Sequence, residues 1–512
     1  MNKPSEPVDG IFDVIILGAG LSGIGSAYHL QTQCPDKSYV VLEGLESYGG
    51  TWLVHRYPGV RSDSDLYTFG YRFKPWLKSP IAPASEILDY IGEVIEENDI
   101  GRHIRYRHRV GQASWSSEEA CWTMTGTRQD TGEAFTVKGR FLWMCQGYYR
   151  MDQGYTPQWP GMDDYRGQII HPQTWPEGLD YQDKKILIIG SGATAATLGP
   201  ALAPDAAHVT MLQRSPTYFM PGRNAVPTAD KLRELRIPEE WIHEIVRREI
   251  LVDKEKFLQR SLEEPEQVKE ELLAGVRAFL PEEEVERNFT PTYRPWSQRM
   301  AFVPEGDLFQ GIKSGKVDVV TSEIDHFTPT GVVLKSGQAI DVDIVITATG
   351  FDLNALGDIP FVVDGKAVDF AQTVGYRGMM FTGIPNMAWV MGYFRVSWTM
   401  RVDLLGDFVC RLLKHMDDKG ATTVEVALRP EDADMELLCW MDPEDWNPGY
   451  LMRNMHLLPK RGTKREWAHS QDYKWEMHEL PKVDLDDAVF VYGQPQAGEE
   501  TAAPRDAALG AG

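Results

Sequence analysis

The stretch Phe12-Asp-Val-Ile-Ile-Leu-Gly18-Ala-Gly20-Leu-Ser22-Gly23 decides the fold. A β-branched run ends in Gly-x-Gly-x-x-Gly, and a helical pattern follows through Leu30. The first glycine of such a string makes a tight turn and the second lets a pyrophosphate approach the backbone. The third lets the helix pack on its strand. N–H groups at the helix start then hold the phosphates. The same grammar returns at Lys185-Ile-Leu-Ile-Ile189, which runs into Gly190-Ser191-Gly192-Ala193-Thr194-Ala195 and a helix-like stretch to Leu202. One copy alone is no more than a glycine loop. Two copies, each flanked by strand and helix, predict an α/β chain with two Rossmann-like dinucleotide-binding units.

The units differ where the second strand of each ends. After the first, Ser38 to Leu42 finishes in Glu43, 25 positions beyond Gly18. A carboxylate there accepts hydrogen bonds from a ribose diol and repels a 2′-phosphate, so this unit should hold FAD or NAD and not NADP. After the second, His208 to Leu212 finishes in Gln213-Arg214-Ser215, with no acid. Arg214 can make bidentate, charge-assisted bonds to a 2′-phosphate and Ser215 can add another, which points to NADPH. The order, FAD first and NADPH second, is that of a two-dinucleotide flavoprotein. Disulfide reductases of that layout need a redox cysteine pair just past the first unit. Here Gly49 to Gly59 contains no cysteine, which leaves chemistry of the reduced flavin on oxygen.

Length and composition agree. The 512 residues suit about three domains. A content of 42% hydrophobic and 25% charged residues is that of a packed protein, not a disordered one. A net charge of −23 argues against nucleic acid or an anionic membrane as partner, because phosphate fields repel such a surface. The five cysteines are scattered without a Cys-x-x-Cys pair, which disfavours a zinc ribbon or disulfide scaffold and suits a reducing compartment. No metal site is expected. Met1 to Gly10 lacks a signal-peptide core, and the apolar stretch Gly378 to Phe394 falls short of a membrane span. That stretch is expected to form a buried strand and turn, or else an apolar wall of a substrate pocket, in a cytoplasmic protein.

Further strands are expected at Phe141 to Cys145, Val317 to Val320, Val332 to Leu334 and Asp343 to Thr347. From about Thr228 to Asn288, apolar residues at helical spacing among dense Glu and Lys predict a helical insertion with solvated charged faces. The expected organisation is an FAD-binding domain in two parts (1–150 and 351–492) and an NADPH-binding domain in two parts (151–220 and 291–350). A helical insertion occupies 221–290, and a disordered tail, 493–512, follows.

Two motifs then give a family resemblance. Tyr165-Arg-Gly167-Gln-Ile-Ile-His171-Pro-Gln-Thr-Trp175-Pro176 resembles the F-x-G-x-x-x-H-x-x-x-W-P/D fingerprint of type I Baeyer–Villiger monooxygenases, with Tyr165 for Phe. Gly50-Thr-Trp52, Tyr57-Pro58-Gly59 and Asp63 resemble the second fingerprint of that family, G-x-W-x-x-x-x-F/Y-P-G-x-x-x-D. Related N- and S-oxygenases usually carry Tyr or Phe where Trp175 stands. Stretches such as RYPGVRSDSDLYT and HVTMLQRSPTY are similar to the ethionamide-activating branch. The resemblance runs from about Asp13 to Leu458.

It implies a flavoprotein monooxygenase that uses FAD, NADPH and O2 to convert ketones to esters or lactones, with sulfoxidation of thioethers as a side activity and N- or S-oxygenation or hydroxylation as the alternative. By motif position, Gly18, Gly20, Ser22, Gly23 and Glu43 would hold the FAD pyrophosphate and ribose. Thr51 and Trp52 would lie along the flavin, and Val110 would meet the adenine through its backbone. Gly190, Ser191, Gly192, Ala193, Thr194 and Ala195, with Arg214 and Ser215, would hold NADPH. Arg61, Ser62 and Asp63 would sit where nicotinamide meets flavin. Arg299, in Pro295-Trp-Ser-Gln-Arg299, aligns with the active-site arginine, with Asp63 as its partner. Gln298 stands where several members have a Lys that helps bind the 2′-phosphate, so NADPH preference would rest on Arg214. His171 reads as a hydrogen-bonding residue of the interdomain linker, and Trp159 and Trp175 as hinge packing.

Overall fold

A computed structural model describes residues 9–494. The first glycine motif follows a strand, Ile11–Leu17, whose side chains alternate between two buried layers. Val14 and Ile16 enter one apolar cluster, Ile15 and Leu17 the other. Burial on both faces is what a continuous β-branched run specifies, and it is typical of parallel sheets. Tyr39–Leu42 and Ala134–Met144 accordingly flank this strand in parallel. Ala134–Met144 is long enough to serve two partners on its other edge. Its first half pairs antiparallel with Cys121–Arg128, and its second half pairs parallel with Met387–Trp389. His108–Ser116 and Phe361–Val363 extend the nine-stranded sheet on that side, and Ile104–Arg105 closes the other.

The second glycine motif lies in a separate, wholly parallel sheet. Its order is Val317–Thr321, His208–Gln213, Lys185–Ile189, Ile344–Thr347, Gln168–Ile170. Alternation again sorts the side chains. Ile186 and Ile188 enter one cluster, Leu187 and Ile189 the other. Each fully buried aliphatic side chain contributes roughly 1.5–3 kcal/mol, so the two strands preceding the glycine turns are among the best anchored parts of the chain. Every strand expected from the sequence is present, with ends that move by a residue or so. Phe141 to Cys145 is the end of a longer strand, Ala134–Met144.

A two-stranded ribbon, Tyr149–Gly154 against Phe351–Leu353, joins the sheets. His171 packs on it closely: a Cβ on Gly154 would come 1.9 Å from the imidazole. Four helices, Pro227–Glu234, Glu239–Glu263, Pro265–Arg277 and Glu282–Asn288, fill the segment of dense charge. They bridge the two halves. Ala229, Ile242 and Val246 join the core of the first sheet, while Leu273, Val276 and Val285 join that of the second.

The apolar stretch Gly378 to Phe394 forms the short strands Met380–Phe381 and Met387–Trp389. Between them Asn386 takes a left-handed φ of 46°. Its buried amide donates to the carbonyls of Arg140 and Thr422, each at 2.8 Å, which fixes a backbone conformation that non-glycine residues rarely adopt. Gly493, expected to begin the tail, instead ends the strand Phe490–Gly493 paired with Thr423–Val426. The tail beyond Gln494 lies outside the described residues. No helix among the described residues is long and apolar enough to cross a membrane.

Candidate active site

The starts of both motif helices open on one cavity of about 1060 Å3. Leu21–Gln33 and Ala193–Leu202 begin after Gly20 and Gly192, and neither has a side-chain cap. Their first N–H groups and the positive ends of their dipoles are therefore available to a phosphate. The glycines divide into two kinds. Gly18 (φ 102°) and Gly23 serve the chain itself: a Cβ would lie 2.8 Å from the Cys145 carbonyl oxygen at Gly18 and 1.7 Å from the Gly18 carbonyl oxygen at Gly23. Gly190 is likewise closed, with the Ala348 oxygen 2.2 Å from a Cβ. Gly20 meets only Gly50 at 3.7 Å, and a Cβ on Gly192 meets nothing within 4 Å among the described residues. Bare backbone with room above it is a cradle for a ligand diphosphate. The two cradles fit a pair of dinucleotides.

Gly18, Gly20, Ser22, Glu43, Thr51, Trp52, Arg61, Asp63, Val110, Gly192, Ala193, Thr194 and Arg299 all line this cavity. The Glu43 carboxylate accepts the N–H groups of Ala19 and Leu45 at 2.6 and 2.8 Å. Burial pushes this carboxyl up, against those backbone donors. Ser22 accepts the indole N–H of Trp398 at 2.8 Å, and Thr51 shares a 2.6 Å hydrogen bond with Tyr149. Val110 stands where the strand register shifts.

Arg299 and Asp63 form a two-toothed ion pair, Nε–Oδ2 2.6 Å and Nη2–Oδ1 2.7 Å. Nη2 also donates to Ser64 at 3.2 Å, and Nη1 donates to the Phe394 carbonyl at 3.0 Å. Arg299 and Asp63 show 40% and 30% of their side-chain surface. Since both residues line the cavity, a ligand there meets a guanidinium already aimed. Burial opposes charge on Asp63, yet the guanidinium of Arg299 prevails and holds its carboxyl below the usual range. Burial likewise works against Arg299, and Asp63 more than offsets it, so the guanidinium keeps its proton throughout the working pH range. Beside the pair stand Tyr148, Phe394, Trp398 and Tyr450, with Tyr148 stacked on Trp398 at 5.2 Å. Trp296, three residues before Arg299, takes a left-handed φ of 64°.

Several expected residues stand apart from the cavity lining. Gly23, Gly190 and the buried Ala195 lie behind it as packing positions. Ser62 is buried, and its hydroxyl accepts the Ala82 N–H at 3.1 Å. Ser191 is bonded to Thr217 at 2.7 Å. Arg214 and Ser215 are exposed at the end of their strand, and Arg214 has no ion pair among the described residues. Arg61 reaches the cavity while held by Asp307 at 2.6 Å. Gln298 contacts the Asn447 amide at 3.4 Å. His171 donates from Nε2 to the Gly350 carbonyl and accepts the Gln173 N–H at Nδ1, each at 3.2 Å, so its ring ties the interdomain ribbon together. Burial lowers its pKa.

Sequence reasoning missed Ser64, Tyr148, Tyr450 and His55. His55 is buried on the cavity wall with both ring nitrogens unpaired among the described residues, and burial, with His171 nearby, pushes it down to about 4. Ser64 lies one residue past a motif position and was within reach of motif reasoning; the others come from tertiary packing alone.

The chain is 45% identical over 480 residues to the FAD-containing monooxygenase EthA of Mycobacterium tuberculosis strain H37Rv, covering 93% of this chain and 96% of that protein. It is 39% identical over 495 residues to a probable FAD-binding monooxygenase, AlmA, of an Acinetobacter species, covering 96% of this chain and 97% of that one. The flavin-binding monooxygenase-like family matches residues 79–230. The fold of this chain is similar to that of a solved oxidized steroid monooxygenase bound to NADP, with a TM-score of 0.73 at 21% identity over 94% of this chain and 99% of the other.

Proposed function

The chain belongs to the FAD-containing monooxygenases, and from that premise we propose that it is a Baeyer–Villiger enzyme using FAD and NADPH. Its reaction is ketone + O2 + NADPH + H+ giving ester or lactone, NADP+ and water. Bound FAD and NADPH supply the electrons and activate the oxygen. The residues of the chain do the rest. The uncapped helix starts after Gly20 and Gly192 hold the two diphosphates. Glu43 accepts the FAD ribose hydroxyls, and Arg214 with Ser215 takes the 2′-phosphate of NADPH. We assign 1–150 with 351–492 to the FAD-binding domain, 151–220 with 291–350 to the NADPH-binding domain, and 221–290 to a helical insertion.

The observation that carries this reading is Arg299 on the wall of the cavity that both cradles share. A guanidinium does not lose its proton at neutral pH, so it stabilises negative charge that develops on oxygen without acting as an acid. Asp63 and Ser64 orient it, and a nicotinamide bound in the cavity would compete with Asp63 for one edge of it. The rings of Tyr148, Phe394, Trp398 and Tyr450 exclude water from the reacting oxygen and accept an apolar carbonyl compound. The protein works in the cytoplasm on small ketones, with thioethers as secondary substrates.

Linear, cyclic and aromatic ketones, with a thioether in parallel, test this by product mass and NADPH consumption. Ester or lactone is expected. Sulfoxide without any ester would move the enzyme to S-oxygenation, and a flavin that NADPH does not bleach under anaerobic conditions would remove the catalytic reading altogether.

A further inference from the structure

The Asp63 carboxylate takes one edge of the Arg299 guanidinium through Nε and Nη2, with Ser64 beside it. The remaining nitrogen, Nη1, is fixed among the described residues by the carbonyl of Phe394 alone. That carbonyl lies in the stretch from Met391 to Val396, which belongs to no helix or strand and has no ladder of backbone bonds to hold it. Side chains from elsewhere do so instead. The Phe394 N–H donates to Gln471 Oε1 at 2.8 Å. Gln471 Nε2 donates to His469 Nδ1 at 2.8 Å, and His469 Nε2–H donates to the Met391 carbonyl at 3.2 Å. A carbonyl only accepts, so this chain fixes both the amide orientation and the imidazole tautomer.

Neighbouring residues grip the same loop. Arg401, completely buried against Glu476, donates to the Met391 carbonyl at 2.6 Å, and the Tyr393 hydroxyl bonds to Glu476. Arg395 donates to Asp445 at 2.8 Å and to the Trp296 carbonyl at 3.3 Å, which ties the loop back to the segment that carries Arg299. With the N–H before the Phe394 Cα fixed by Gln471 and the side chain after it fixed by Asp445, the carbonyl between them has one direction. Buried polar groups and ion pairs are costly to assemble and strongly orienting once satisfied.

We infer that Gln471, oriented by His469, is a positioning residue for Arg299, acting through the Phe394 peptide. The inference rests on the proposed role of Arg299 in oxygen transfer. It adds a residue 172 positions away in the chain, from a segment that no fingerprint of the sequence covers.

The experiment compares Gln471→Leu and Gln471→Glu holoenzymes, each in wild-type and Arg299→Lys backgrounds. Two quantities are read: hydrogen exchange of the segment 391–397, and oxygenated product formed per NADPH consumed. Gln471→Leu should speed exchange at Phe394 about tenfold and lower the product ratio about tenfold, the effect of one lost buried hydrogen bond. Flavin reduction by NADPH should stay within about twofold. Gln471→Glu keeps an acceptor for the Phe394 N–H but loses the donor to His469 Nδ1, so it should recover only part of both losses. In the Arg299→Lys background Gln471→Leu should change the ratio by less than about twofold, since the partner it positions is gone. Wild-type exchange and coupling in Gln471→Leu would overturn the inference. An equal loss in both backgrounds would overturn it too, because that is what a merely structural residue gives. Should Gln471→Leu not fold, Gln471→Asn, which is one methylene too short to reach Phe394, carries the same expectations. Wild-type protein that consumes NADPH without oxygenating ketone or thioether overturns the functional reading only, since exchange at 391–397 still reports the anchor.

Discussion

At the scale of single residues, the cavity separates side chains that hold a charge from side chains that hold the chain. Arg299 carries three kinds of partner: a carboxylate, a hydroxyl and a backbone carbonyl. Removing a preorganised donor of this type costs on the order of 3 kcal/mol, about a hundredfold in rate. Arg299→Ala should therefore leave flavin reduction by NADPH measurable and lower ester formation about a hundredfold or more, read by stopped flow and product mass. Arg214 stands exposed at its strand end, without an ion pair among the described residues, so its charge is available to a ligand. Arg214→Ala should raise the KM for NADPH about tenfold or more while leaving that for NADH nearly unchanged. Equal rises for both nucleotides would remove Arg214 from the choice between them. The sequence pointed to both residues, one from a motif and one from the missing acid after a strand. It did not point to Tyr148 and Tyr450, because an aromatic residue has no signature until the chain folds around it.

At the scale of elements, the two glycine turns make the same fold for different reasons at each position. A methyl group at Gly23 would collide with the Gly18 carbonyl, whereas one at Gly192 would meet open space. Gly23→Ala should thus unfold or strongly destabilise the protein. Gly192→Ala should keep its thermal midpoint within about 2 °C, because surface substitutions of this kind shift stability by no more than about 0.5 kcal/mol. Yet it should weaken NADP+ binding, measured by calorimetry, because the added methyl group would occupy the place proposed for the diphosphate. Normal NADP+ affinity in a well-folded Gly192→Ala protein would show that the second cradle is not the nucleotide site. The strands were readable as continuous apolar runs, and their burial on both faces is the consequence. The four helices of the charged segment were readable as helices. Their division between two cores was not, since charge patterning says which face is wet and not which neighbour takes the dry one.

At the scale of the whole molecule, several histidines are packed where only the neutral form fits. Burial pushes His55 and His243 down to about 4 and His469 well below its ordinary value. In the unfolded chain these groups take up protons near pH 6.5, so the unfolded state binds more protons between that pH and about 4. Stability is then complete above about pH 6.5 and declines as the pH falls toward 4. The thermal midpoint should drop steeply over that range, and His243→Phe should flatten the slope; a midpoint independent of pH from 7 to 4.5 would contradict this assignment. The amino-acid sequence by itself determined two strand–glycine–helix units and singled out Arg299 and Asp63, because such turns and short fingerprints are local in the chain. Only the tertiary structure decided that Ser62 bonds to Ala82 and not into the cavity, that Ser64 and the Phe394 carbonyl join Asp63 on Arg299, and that Gln471 reaches the peptide holding the arginine. Those outcomes depend on how two sheets and the segments between them close on one cavity, and no periodicity or spacing along the chain encodes a contact of that range.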